Sequence, residues 1–159
     1  MRGVLLTVNA VYFAFGVSFY FGLLWALRLF FYPSWTSLRV DNVADHFVGP
    51  VWAATAFFRK LVPGMLVTGL VMIVTSWGRG AQLWAAVLAY AGIWGTFGAW
   101  AVINPINKEI TTGAGTDEHL RELLKRWMQL NNLRFVIVTV MWAATIWYLL
   151  AAADFAGDV

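Results

Sequence analysis

Two short polar clusters interrupt an otherwise apolar chain: Asn104-Pro105-Ile106-Asn107, and the set Trp127, Asn131 and Arg134. The second set is spaced by four residues and then three, which puts its side chains on one face of a helix. An arginine beside lipid costs roughly 3 kcal/mol or more, so it should turn into a bundle and find partners there. Asparagine amides are suitable, since their carbonyls accept what a guanidinium donates. Two readings follow. In one, the residues tie two helix ends together, with Asn104 capping a helix begun by Pro105 and Arg134 at the headgroup level. In the other, they line a pocket that opens to the cytoplasmic leaflet.

Other chemistries find less material. The chain has no cysteine, which excludes disulfides, thiolate metal sites and a thiol nucleophile. His46 and His119, with Asp45, Asp117, Glu118 and Glu122 nearby, supply ligand types. No histidine pair sits at ligand spacing within an apolar run, however, and the carboxylates read as cap and loop residues. Neither a metal nor a cofactor is expected. Ten tryptophans, twelve phenylalanines and five tyrosines suit aromatic anchoring at bilayer interfaces, without requiring a pigment or quinone. The net charge is +3, and no basic patch with interleaved aromatics argues for nucleic acid as a partner.

The elements that must position these residues follow from hydropathy. Of 159 residues, 61% are hydrophobic and 12% charged, against roughly 25% charged in an average soluble domain. So small a soluble domain could not hide that much apolar surface. The fold class expected is all-α: a single membrane domain with four transmembrane helices and the lipid bilayer as its first partner. The spans read as approximately 4–31, 50 or 61–77, 81–103 and 135–153. Tyr32-Pro33-Ser34 should end the first span, and a polar connection follows from Trp35 to Gly49. Arg59 and Lys60 interrupt the second run, where they either snorkel or line a polar cavity. A break near Pro63-Gly64 is favoured over one continuous helix, because proline removes a backbone bond. In the third span Ala85, Ala89, Gly92, Gly95, Gly98 and Ala99 form a close-packing surface. Asn104-Pro105-Ile106-Asn107 should end it, with a loop through Gly113-Ala114-Gly115. Thr116-Asp117-Glu118 starts a helix, amphipathic and cytoplasmic over His119 to Asn132, that extends into the fourth span. Asp154 and Asp158 mark an acidic tail.

Orientation follows from the basic residues. Arg28, Arg39, Arg59, Lys60, Lys108, Arg121, Lys125, Arg126 and Arg134 gather at one side, and only Arg2 and Arg79 lie at the other. Positive charge stays cytoplasmic. The expectation is a multi-pass cell-membrane protein with both termini outside and the connections 32–60 and 104–134 inside.

The two clusters together resemble the signature of the anthrone oxygenase-like family of small four-span membrane proteins, most of them of unknown function. That signature runs asparagine, proline, asparagine, then tryptophan, asparagine and arginine, and here it falls on Asn104, Pro105, Asn107, Trp127, Asn131 and Arg134. The resemblance implies a site that binds or oxidises a hydrophobic aromatic small molecule, without metal or flavin. Such a site needs an apolar slot, a general base, and donors for an enolate oxygen. Asn107, Asn131 and Arg134 could be the donors, with Asn104 and Trp127 lining the slot. His46 or His119, outside the motif, could be the base. The rival expectation is a non-catalytic subunit that packs by its third span in a larger membrane complex or a homo-oligomer.

Overall fold

Each of the four apolar runs folds as one long helix. A computed structural model describes residues 2–113 and 115–157, with side chains over 3–113 and 115–153. Among the described residues there is no strand. Four helices are long and apolar enough to cross a membrane. The side chains of Asp154 and Asp158, read as an acidic tail, and Ala114 of the glycine loop lie outside the described residues.

The first helix is α-helical over Arg2–Ala26, widens to a π turn over Leu27–Phe31, and closes with an α turn over Tyr32–Trp35. The π turn precedes Pro33, whose ring would collide with the carbonyl four residues back in a regular helix. Widening the backbone there, with the Tyr32 N–H bonded to the Leu27 carbonyl, lets the rod continue. The following connection is shorter than the expected Trp35 to Gly49. A second π turn over Ala44–Val48 runs directly into the second helix, Gly49–Thr75, and again a proline, Pro50, lies just past the widened turn.

Two sequence expectations are corrected by helix continuity. The second helix does not break at Pro63-Gly64 but passes through Pro63. The third, Gly80–Thr112, does not end at Asn104-Pro105 and continues past Pro105 to Gly113, whose φ of +106° reverses the chain where a side chain would be strained. The cause is the same in both. A proline deletes one backbone bond, whereas ending the helix would forfeit the packing beyond it, Met65 and Met72 in the larger core and Ile106 and Ile110 in the smaller. Near Pro63 the Tyr12 hydroxyl also donates to the Leu61 carbonyl at 3.4 Å. The fourth helix, Asp117–Gly157, starts where the sequence signals it. The Thr116 hydroxyl accepts the His119 N–H at 3.3 Å, satisfying one of the orphan donors of the first turn.

The helices form an antiparallel ring in which each packs against its neighbours in sequence and the first closes against the fourth. Third and fourth pack most extensively, because the third presents small residues to its partner. A Cβ added at Gly92 would lie 2.7 Å from Met141 Cβ, and one at Gly95 would lie 3.1 Å from Ile137. Ala85, Ala86 and Ala89 are fully buried. Two apolar cores result. The larger fills the bundle around Phe13, Val17, Met65, Ile93 and Met141. The smaller gathers Trp35, Phe47, Ile103, Ile106, Leu120, Leu124 and Trp127 at the end where the first-to-second and third-to-fourth connections meet.

Candidate functional site

Periodicity explains how the fourth helix aims its polar residues. Leu120, Leu124, Trp127, Asn131, Val138, Met141 and Thr145 are all buried. Their steps of four and three residues describe one inward stripe, on which Arg134 takes the position between Asn131 and Val138. Three consecutive places on a core-facing stripe thus carry Trp, Asn and Arg. The first helix has a matching stripe, Phe13, Val17, Tyr20 and Leu24, all buried.

These stripes meet between the two cores in one hydrogen-bonded chain. The Trp127 indole N–H donates to Asn107 Oδ1 at 2.6 Å. The Asn131 amide donates to the Trp127 carbonyl at 3.0 Å, and Asn131 Oδ1 accepts from Arg134 at 2.9 Å. A second guanidinium nitrogen of Arg134 donates to the Tyr20 hydroxyl, and the guanidinium carbon lies 5.4 Å from the Tyr20 ring centre. The chain therefore ties the third, fourth and first helices together.

The same residues line a cavity of about 480 Å³, to which all four helices contribute. That lies within the range of roughly 300–1,000 Å³ typical of pockets for drug-sized ligands. Its walls are mainly apolar and aromatic, with Leu24, Leu27, Phe31 and Trp35 from the first helix and Val51, Phe58, Val62 and Leu66 from the second. Phe97 and Trp100 of the third helix and Arg59 of the second also line it and are exposed. Phe31 of the first helix lines it and is exposed as well, so side chains of the first three helices mark its open side. Tyr20, Asn107, Trp127, Asn131 and Arg134 converge inside.

Arg134 is the unsatisfied member. Its Nε is buried without a hydrogen-bond partner, and no carboxylate lines the cavity. Among the described residues the ion pairs are Arg39 with Asp117 and His119 with Glu109, so the Arg134 charge meets only neutral acceptors. A buried donor left unpaired costs about 1–3 kcal/mol. A ligand oxygen at this point would remove that penalty.

The other candidates lie elsewhere. Asn104 is half-buried but does not line the cavity. Neither His46 nor His119 reaches it, and both are exposed. His46 sits on the second π turn, where its backbone carbonyl accepts the Trp35 indole N–H at 3.2 Å. His119 Nε2 lies 2.7 Å from Glu109. Asp117 clamps the two connections together, accepting the Val40 N–H at 2.9 Å and the Arg39 guanidinium at 3.0 Å. The Val40 N–H, aided by Arg39, holds its carboxyl below the usual carboxylate range. No group of three His, Asp or Glu side chains among the described residues is placed to hold a metal ion.

Two titratable lining residues, Tyr20 and Arg59, were not singled out as site residues from sequence. Tyr20 lies in an aromatic-rich run, where only its phase with Phe13, Val17 and Leu24 marks it as inward. Arg59 was read as either snorkelling or lining a cavity, and it lines this one.

Comparison with protein-family models, with curated proteins and with solved structures finds no match for this chain.

Proposed function

We propose that this chain is a multi-pass cell-membrane protein that binds a flat hydrophobic molecule and sets one of its oxygens against Arg134. The observation that carries the reading is the buried, unpartnered Nε of Arg134 beside an apolar cavity without a carboxylate. The membrane setting is supported by four spanning-length helices and by large apolar side chains on the outer surface, such as Leu5, Phe30, Val67 and Trp84. Exposed apolar area on this scale needs lipid. The basic residues gather at the end holding the smaller core, which by the positive-inside rule faces the cytoplasm and leaves both termini outside.

The activity we favour is the one implied by the resemblance to the anthrone oxygenase-like family, oxidation of an anthrone-type ring. Deprotonating such a ring at its methylene carbon gives a carbanion delocalised onto the ketone oxygen. The Arg134 Nε–H and the Tyr20 hydroxyl are donors suited to that oxygen. The carbon passes its electron pair to dioxygen, forming a carbon–oxygen bond and a peroxide. Loss of water then leaves the second carbonyl, so that anthrone and dioxygen become anthraquinone and water. With no histidine or carboxylate in the cavity, the proton leaves to water at the mouth, helped by the fixed cation that lowers the ring's own pKa.

The rival reading, a non-catalytic subunit docking by the small residues of the third helix, draws no support from Ala85, Ala89, Gly92 or Gly95. Those residues are already packed within the bundle.

The test uses the protein in nanodiscs with 1,8-dihydroxyanthrone. Without oxygen, the ligand should quench tryptophan fluorescence saturably, because Trp35, Trp100 and Trp127 line the cavity. In air, quinone should form faster than in nanodiscs carrying Arg134→Gln. Non-saturable quenching would overturn the binding reading. Equal rates would overturn the oxidation.

A further inference from the structure

The charge of the cavity walls says more about the ligand than their shape. Every titratable side chain lining the cavity is a tyrosine or an arginine: Tyr20, Arg59 and Arg134. The two arginines stand at different depths. Arg134 is half-buried inside, on the polar chain from Asn107 to Tyr20. Arg59 is exposed at the mouth, on the second helix, and makes no hydrogen bond or ion pair with any described residue. With Lys60 it precedes an apolar run, Leu61 to Trp77, which places it at the lipid boundary.

Arg134 carries a desolvation cost that its neutral partners Asn131 and Tyr20 offset only in part, and the exposed Arg59 adds a second cation without a counter-ion to the same cavity wall. A neutral occupant would leave that cost in place. An anionic occupant would be attracted by Arg59 on entry and would relieve the cost at Arg134 once seated. We propose that the ligand of this site is a diffusible amphiphilic anion. It is a compact apolar body carrying a single oxyanion (a carboxylate or a phenolate), and it enters sideways past Arg59. The inference rests on the binding reading above and narrows it, and it replaces the neutral anthrone of the oxidation with a ligand that is already anionic. The polar group is charged before it arrives, and Arg59 is the residue that selects for the charge. A bilayer phospholipid offers the same oxyanion chemistry, but its two acyl chains exceed a cavity of about 480 Å³.

The experiment compares two probes with one ring system, anthracene-9-carboxylate and the neutral anthracene-9-methanol. Both are titrated by fluorescence into the full chain in zwitterionic nanodiscs, with empty nanodiscs as the partition control. The carboxylate should bind at least tenfold more tightly. Arg59→Gln should cut that ratio severalfold, weakening the carboxylate far more than the neutral probe. Arg59 is exposed, so this variant should keep the wild-type melting temperature, and that is measured alongside. Equal affinity for the two probes would overturn the anion proposal and leave the binding reading standing. A preference unchanged in Arg59→Gln would overturn the role of Arg59. Binding of neither probe would overturn both the proposal and the binding reading. In nanodiscs containing phosphatidylglycerol the carboxylate should still bind. Its complete displacement there would assign the site to a lipid phosphate and overturn the diffusible acid.

Discussion

Arg134 on the fourth helix donates to the hydroxyl of Tyr20 on the first, 114 positions away in the chain. The pair closes the helix ring at the level of the cavity and leaves the Arg134 Nε buried and unpaired. Tyr20 should therefore matter to both stability and binding. Tyr20→Phe keeps the ring against Phe58, now 4.5 Å between centres, but removes the acceptor for a charged donor. We expect a loss of about 1.5–3 kcal/mol of stability, read by denaturant titration in detergent. Affinity for an oxyanion probe should fall as well, because the hydroxyl is also a donor towards the cavity.

The indole of Trp127 and the amide of Asn107 should be coupled. Their bond of 2.6 Å joins the third and fourth helices at the cavity wall. Trp127→Phe and Asn107→Ala should each cost about 1–3 kcal/mol, mostly by leaving the other partner unsatisfied. The double variant should cost less than the sum of the two, and the cycle of four melting curves measures the shortfall. Strict additivity would mean that the bond contributes nothing.

Glycines of the third helix should divide by what they face. A Cβ at Gly92 would lie 2.7 Å from Met141 Cβ, which is too close to the backbone to yield, whereas one at Gly98 would meet nothing within 4 Å. Gly92→Ala should cost about 1–3 kcal/mol through overpacking. Gly98→Ala should stabilise by about 0.5–1 kcal/mol, the usual gain from replacing glycine within a helix. Thermal denaturation of the two variants side by side is the check.

The clamp at Asp117 should weaken in acid. Its carboxyl is held below the usual range by the Val40 N–H and by Arg39, so its folded pKa lies below its unfolded one. The stabilisation is complete above the unfolded value and is lost as pH falls through the folded value. Protection of the amides over residues 36–43, taken relative to the intrinsic exchange rate at each pH, should fall as pH drops across that window. In Asp117→Asn that pH dependence should be absent, with exchange already fast at neutral pH.

The four helices were legible because roughly twenty apolar residues are needed to cross hydrocarbon, and such runs have few other uses. Their lengths were less so. Pro63 and Pro105 looked like boundaries by the rules of soluble helices, yet residues past each, Met65 and Ile106 among them, pack into the cores and keep the helix going at the loss of one backbone bond. The site was half legible. Asn107, Trp127, Asn131 and Arg134 are polar residues in inward phase, which stands out in an apolar chain, and all four line the cavity. Tyr20 carries no such contrast among Tyr12, Phe19 and Phe21. Its role depends on a contact with a helix more than a hundred residues away, which spacing within one helix does not reveal.

The central claim is that a ligand oxygen sits at the Arg134 Nε–H. The direct measurement is the ¹⁵N–¹H spectrum of the arginine Nε–H groups in nanodiscs, assigned with Arg134→Gln and recorded with and without saturating anthracene-9-carboxylate. The account predicts that the Arg134 proton moves downfield as it gains an acceptor, while the Arg39 resonance, held in its pair with Asp117, stays in place. An Arg134 resonance that does not move with the probe demonstrably bound would contradict it.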